Sequence, residues 1–250
     1  MRRCVGSLLL LMRGLSVAAK TPGQVFDLSS FSLQIPEGSS GGITTIKQPA
    51  LDSYTSDYFQ VDPDDSSSVL FFAPETGNPT GNGAGPRTEL TETHEFTFSG
   101  THEMNVTVAV TEANPNGNVV IAQIKGDSVS SKSVAFASCL IVVELGYNIN
   151  DQEVTAHMRG LNSDGTCSSV SYSVGSYKPG ELIHVHFRVV DYSVYVYTDK
   201  VTLPKYSYSF WKGHDYQMHF KTGAYDQDSG NDSSAGGRTL MHKLDVYHSE

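Results

Sequence analysis

Short runs of alternating or β-branched residues recur along the whole 250-residue chain, and clusters of Gly, Asn, Pro and Asp interrupt them. The runs include Ser68–Ala73, Glu95–Phe98, Glu103–Thr111, Val119–Lys125, Ser133–Glu144, Glu153–Arg159, Leu182–Val190, Tyr192–Thr198, Tyr216–Lys221 and Leu240–His248. Nowhere does a 3.6-residue apolar period persist long enough to specify a long helix. Strand side chains alternate between two faces, so such runs each bury one face, and regularly spaced turns fold them back on one another. Many short strands with turn signals predict an all-β sandwich or jelly roll. No linker or repeat divides the chain, which predicts one domain over residues 25–250.

The formal net charge is −10. A chain this acidic has no general affinity for nucleic acid, and any polyanion it binds must meet a local cluster of Lys and Arg. Residues 1–19 read as a secretory signal: Arg2 and Arg3 precede the apolar run Val5–Met12, and Val17-Ala18-Ala19 offers a small-residue cleavage site. Its removal would take Cys4 and three arginines, leaving a net charge of −13 and two cysteines, Cys139 and Cys167. An even pair in an exported chain suits one disulfide, with two separate buried thiols as the alternative. Asn105 and Asn231 each begin a glycosylation acceptor triplet. No other stretch is long and apolar enough for a transmembrane helix, and no Cys/His spacing of the zinc type is present. The chain is therefore expected to be secreted and monomeric, without membrane, metal or cofactor.

One strand has an unusual composition. In His219-Phe-Lys-Thr-Gly-Ala-Tyr-Asp-Gln227, alternation puts His219, Lys221, Gly223, Tyr225 and Gln227 on one face. Two other segments share this character. Pro86-Arg-Thr-Glu-Leu90 aligns Arg87 with Glu89, and Gln123-Ile-Lys125 aligns Gln123 with Lys125 after an apolar run. Any one of them reads most simply as a solvated surface strand. Together they place cations, amides and a phenol inside strands, which is costly unless those groups are paired or face a wet groove.

These three segments, in this order, resemble polysaccharide lyase family 7, the alginate lyases. Leu51–Phe59 and Val69–Pro74 resemble that family's N-terminal strands. The resemblance implies a concanavalin-like β-jelly roll of two curved antiparallel sheets whose concave face binds an anionic polysaccharide. It implies that Arg87, Gln123, Lys125 and Tyr225 surround the cleavage site, and that Glu89, Lys221 and Gln227 position substrate or other side chains. The chemistry accounts for these residue types. A uronate lyase removes the C5 proton and expels the O4 substituent, and the adjacent carboxylate must accept further negative charge. Donors such as Gln123 and Arg87 suit that charge, one such donor being worth roughly 3 kcal/mol of barrier. Tyr225 can protonate the leaving oxygen and, once ionised, take the C5 proton. A tyrosine ordinarily ionises near pH 10, so the base role calls for positive charge nearby, from Lys125 or Lys221.

The sequence departs from the family pattern at three positions. Lys125 replaces the His of the Gln-Ile-His triplet, His219 replaces a Tyr before Phe-Lys, and Thr91 replaces a second Arg. A lysine is a poor base near neutral pH but a good counter-ion. This predicts same-side elimination by Tyr225 and a preference for mannuronate; β-glucuronan shares the same C4/C5 arrangement. The Ile of the triplet, associated in the family with guluronate-containing substrates, points the other way. His219 shares the face of Tyr225 but is read as a subsite residue. The competing functions are a non-catalytic polyuronate-binding jelly roll and a glycoside hydrolase, and the latter lacks the required pair of carboxylates on one strand.

Overall fold

The computed structural model describes residues 20–38, 42–79, 85–126, 139–162, 166–204, 206–207 and 217–249. Two antiparallel sheets account for nearly all regular structure within them. The first sheet contains β1 (Phe31–Ile35), β2 (Thr44–Ile46), β5 (Arg87–Glu92), β7 (Asn118–Gly126), β8 (Ile141–Asn148), β9 (Glu153–Leu161), β10 (Cys167–Ser176) and β14 (Met218–Asp226). Its strand order is β10-β9-β8-β7-β14-β5-β1-β2. The second contains β3 (Phe59–Val61), β4 (Val69–Pro74), β6 (Thr101–Glu112), β11 (Leu182–Val190), β12 (Ser193–Thr198), β13 (Tyr206–Ser207) and β15 (Gly236–Ser249). Its order is β13-β12-β11-β6-β15-β4-β3. The interleaved order, with chain-distant strands as neighbours, is the jelly roll expected from the pattern of short strands.

Period-2 alternation builds the core. Leu33, Leu90, Ile124, Leu145, Ala156 and Phe220 of the first sheet meet Phe71, Val106, Phe187, Val196 and Met241 of the second, all fully buried. Each large apolar side chain so buried contributes roughly 1.5–3 kcal/mol. β14 lies at the centre of the first sheet, and all nine of its residues are buried. One of its faces packs on this core; the other carries the polar side chains His219, Lys221 and Tyr225.

β14 carries an irregularity that matters for the site. Its pairing with β7 shifts between Thr222 and Tyr225, whereas its pairing with β5 is continuous. Gly223 sits within this bulge at φ 144°, and a Cβ there would lie 2.5 Å from the Thr88 carbonyl oxygen. Only glycine fits both conditions.

Cys139 and Cys167 form the disulfide, with Cα atoms 5.5 Å apart, and it ties the approach to β8 to the start of β10. Glu95–Phe98, expected as a strand, supplies only one isolated bridge, from Phe96 to Met218. The expected signal segment and residues 133–138 of an expected strand lie outside the described residues. No helix among the described residues is long and apolar enough to cross a membrane.

Candidate active site

Strand register assembles the polar residues into rows across the face of the first sheet that points away from the core. Tyr225 of β14 pairs with Arg87 of β5, and Gly223 pairs with Glu89. Lys221 pairs with Thr91 on one side and Gln123 on the other, and the row continues to Glu144 on β8 and His157 on β9. His219 pairs with Lys125. Three segments far apart in sequence thus form adjacent strands β5, β14 and β7.

Glu89 is the hub of the arrangement. It accepts a hydrogen bond from Gln123 Nε2 at 2.5 Å and one from Arg87 Nη1 at 3.4 Å, and it forms an ion pair with Lys221. Gly223 has no side chain, so Glu89 and the flanking groups can close over that point of the sheet. Lys221 also donates to Gln34 Oε1 at 3.1 Å. The Arg87 guanidinium lies 3.7 Å from the centroid of the Tyr225 ring, a cation–π contact. Arg87 thus brings a cation into direct contact with Tyr225. Arg87, Glu89, Gln123 and Lys221 are all at most 3% exposed.

Burial and charge work against each other here. Burial pushes the Glu89 carboxyl up, but Lys221 and Arg87 outweigh it and hold the group below the usual carboxylate range. Burial also drives the Lys221 ammonium down to about 8, against the pull of Glu89, while Arg87 and Lys125 push the same way as burial. Lys221 and Arg87 together outnumber the Glu89 carboxylate, with Lys125 adding to them, so the cluster carries an excess of positive charge suited to a further anion. Two buried donors, Arg87 Nε and Gln227 Nε2, have no hydrogen-bond partner among the described residues.

A depression of ≈ 530 Å³ opens beside this cluster, lined by Gln34, Lys47, Gln48, Lys125, His219 and Lys221 among others. Lys125 and His219 thus sit together at this end of the cleft, with Tyr225 and Arg87 at the other. Gln227 lies just past the end of β14, where its backbone N–H donates to the Asn118 carbonyl. All eight site residues expected from the sequence belong to strands β5, β7 and β14 or their immediate continuation.

Sequence reasoning missed Glu144, His157, Arg159 and Gln34. Glu144 continues the row of Lys221 and Gln123, and burial raises its pKa against the opposing effect of Arg159 and His157. His157 Nδ1 is 2.8 Å from Ser171 Oγ. The available signal was alternation within β9, where Thr155, His157 and Arg159 are partly exposed and Val154, Ala156 and Met158 are buried.

Residues 26–248 match the alginate lyase family. The chain is 27% identical to alginate lyase A1-II', a member of polysaccharide lyase family 7, over 92% of this chain and 99% of that one, with a TM-score of 0.75. A variant of the same enzyme in complex with substrate (GGMG) is 30% identical, covering 92% of this chain and 97% of that one, with a TM-score of 0.77. An alginate lyase from Pseudomonas aeruginosa is 26% identical, covering 90% of this chain and 100% of that one, also with a TM-score of 0.77. No curated protein sequence matches the chain. The family match across nearly the whole length and the shared jelly roll place this chain in the alginate lyase family, polysaccharide lyase family 7, as a polysaccharide lyase.

Proposed function

We propose that this chain is a secreted, monomeric lyase of 1,4-linked polyuronates, cutting alginate by β-elimination with a preference for mannuronate. The observation that carries this reading is the convergence of Arg87, Gln123, Lys221 and Tyr225 on one buried face around Glu89. Variants of alginate lyase A1-II' have been captured with the product GGG and the substrate GGMG, which supports oligosaccharide binding by the same scaffold here.

In this mechanism the uronate carboxylate meets the Arg87 guanidinium and the second amide hydrogen of Gln123, with Lys125 and Lys221 adding positive charge. As the C5–H bond breaks, the electron pair is stabilised through that carboxylate. The C4–O4 bond then breaks, a C4=C5 double bond forms, and the departing O4 receives a proton. Tyr225, ionised to the phenolate beforehand, takes the C5 proton and, now a phenol, delivers it to O4. The mannuronate preference follows from Lys125: where C5–H and O4 lie on the same side of the ring, one phenol serves both transfers and no second base is needed. Glu89, Lys221 and Gln227 position the reacting groups, and His219 and Lys125 extend the grip to a neighbouring sugar.

The test is to incubate the protein separately with polymannuronate, polyguluronate and β-glucuronan and follow ultraviolet absorbance of the unsaturated product. Fastest cleavage is expected on polymannuronate, with loss of activity in Tyr225→Phe. Substrate binding with no absorbance change on any polymer would defeat the lyase reading, and fastest cleavage of polyguluronate would defeat the same-side mechanism.

A further inference from the structure

A second polar network lies on the core side of β14, opposite the cleft. Glu92 is the last residue of β5, and its side chain points between the sheets with no exposure. One carboxylate oxygen, Oε2, accepts the backbone N–H of Phe220 at 3.2 Å. The other, Oε1, lies 2.6 Å from His248 Nε2 on β15. His248 Nδ1 lies 3.0 Å from Nδ1 of His102, its cross-strand partner on β6, and His102 Nε2 lies 2.7 Å from the Ser99 carbonyl. The His94 ring lies tilted against His248 with centroids 4.3 Å apart, and Phe96 and Phe220 pack against the same pair.

Counting protons along this chain gives a definite result. With Glu92 ionised, the two ends, a carboxylate that already accepts an N–H and a backbone carbonyl, can only accept. The intervening contacts are Glu92 to His248, His248 to His102 and His102 to Ser99, so three hydrogens are required. Two neutral imidazoles supply only two. With Glu92 ionised, the chain therefore closes when the histidine pair carries one extra proton and one positive charge opposite the carboxylate; a third hydrogen on Glu92 Oε1 would instead close it with two neutral rings. A fourth hydrogen would set two donors face to face at the Nδ1···Nδ1 contact.

We infer that Glu92, His248 and His102 form a one-proton clamp that fixes the β14 main chain between the two cleft residues His219 and Lys221. The Phe220 amide, held by Glu92, lies where the β5–β14 ladder ends at Lys221–Thr91. Glu92 thus extends the ladder with a side chain and sets the pitch of the strand that presents Lys221. His248 holds the extra proton. His102 remains the neutral acceptor, and burial accordingly disfavours its charged form, with His248 and His94 acting in the same direction. His94, whose ring lies 4.3 Å from that of His248, and Glu95, which lines the same depression as His102, also face the pair from the connection before β6. On β14, alternation turns His219 and Lys221 to the cleft side. Raising the pH removes the shared proton and breaks the Nδ1···Nδ1 link. Lowering it far enough to charge His102 breaks the same link by repulsion.

Nitrogen-15 NMR of the histidine rings and of the Phe220 amide tests the clamp without reference to lyase activity, so it can fail independently of the proposed function. At pH 6 His248 is expected to carry hydrogens on both ring nitrogens and His102 only on Nε2. The Phe220 amide signal should shift with the titration of the His248 ring. Glu92→Gln offers a charge-free version: its amide donates to His248 Nε2, its oxygen accepts the Phe220 N–H, and two neutral rings then satisfy the chain. In that variant the Phe220 amide should stay constant, and the wild type's loss of roughly 3–10 °C in Tm between pH 6 and pH 9, relative to the variant, should disappear. Two neutral rings in the wild type at pH 6, or a Phe220 amide indifferent to the His248 titration, would overturn the clamp.

Discussion

Lys125 of β7 and His219 of β14 are direct cross-strand partners. On the resemblance drawn from the sequence, these are two of the three positions expected to depart from the family pattern, with His and Tyr expected there. Directly paired residues couple, with interaction energies of roughly 0.5–3 kcal/mol in general. Lys125→His restores a base at this end of the cleft and is expected to raise the rate on polyguluronate relative to polymannuronate. Combined with His219→Tyr, the effect should exceed the sum of the two single changes. Initial rates on the two polymers for the four proteins of this cycle provide the measurement, and strict additivity would show that the pair does not act as a unit.

Tyr225→Phe keeps the ring under Arg87 and removes only the hydroxyl. A proton carrier of this kind accounts for about 10²–10⁴ in rate. The variant should lose that factor in kcat, with little change in KM and a Tm within a few degrees of wild type. A similar loss confined to KM would assign Tyr225 to substrate binding instead.

Glu89→Ala leaves Arg87 and Lys221 buried without their common counter-ion. Breaking a buried ion pair from one side typically costs roughly 3–5 kcal/mol. Chemical denaturation should show a loss of that size, and larger than the effect of Glu89→Gln, which still offers an oxygen to the same donors.

Lys221 titrates near 8 because burial disfavours its charged form. As the pH rises through that value, the cleft loses a cation, so KM for a polyuronate should increase between pH 7 and pH 9. The stability effect has the opposite sign. A depressed lysine contributes stability in full above its ordinary pKa and loses it as the pH falls through about 8. Lys221→Met should therefore flatten the alkaline rise in KM and blunt the pH dependence of unfolding over the same range.

Asp226, next to Tyr225 but on the opposite face, anchors three groups: its carboxylate accepts the backbone N–H of Gly237 at 2.9 Å, that of Asp228 at 3.1 Å, and the Asn114 side chain. Burial pushes its pKa up to about 6. A raised carboxyl contributes stability that is complete below its ordinary pKa and lost as the pH rises through about 6. Asp226→Asn turns an amide donor toward one of these N–H groups and should cost about 1–3 kcal/mol at neutral pH. It should also remove the decline in Tm between pH 4 and pH 7 relative to wild type.

The cleft was legible because its chemistry is written within single strands. His219, Lys221 and Tyr225 share one face by alternation alone, as do Arg87 with Glu89 and Gln123 with Lys125. That these three faces adjoin required the strand order, which local pattern does not encode. Thr155, His157 and Arg159 went unremarked because an alternating polar face is also what an ordinary solvated strand presents. Glu95–Phe98 has strand-forming residues but only Phe96 makes a β-bridge, to Met218, while the Phe98 carbonyl accepts the backbone N–H of Tyr192. The Glu92–His248–His102 network was invisible for a different reason. Glu92 and His248 are 156 residues apart, and nothing local distinguishes a carboxylate aimed into the core from one aimed at water.

Glu89 fastens Arg87, Gln123 and Lys221 before any sugar arrives. Ordering a long polar side chain forfeits up to about 1.5–2 kcal/mol of rotamer freedom, and these residues have surrendered theirs during folding. On the proposed function, a uronate entering the cleft meets groups already aimed, so little conformational freedom remains to be lost at the moment of binding. The acidic residue at the centre of an anion site therefore serves affinity indirectly, by converting a flexible cationic patch into a rigid mould.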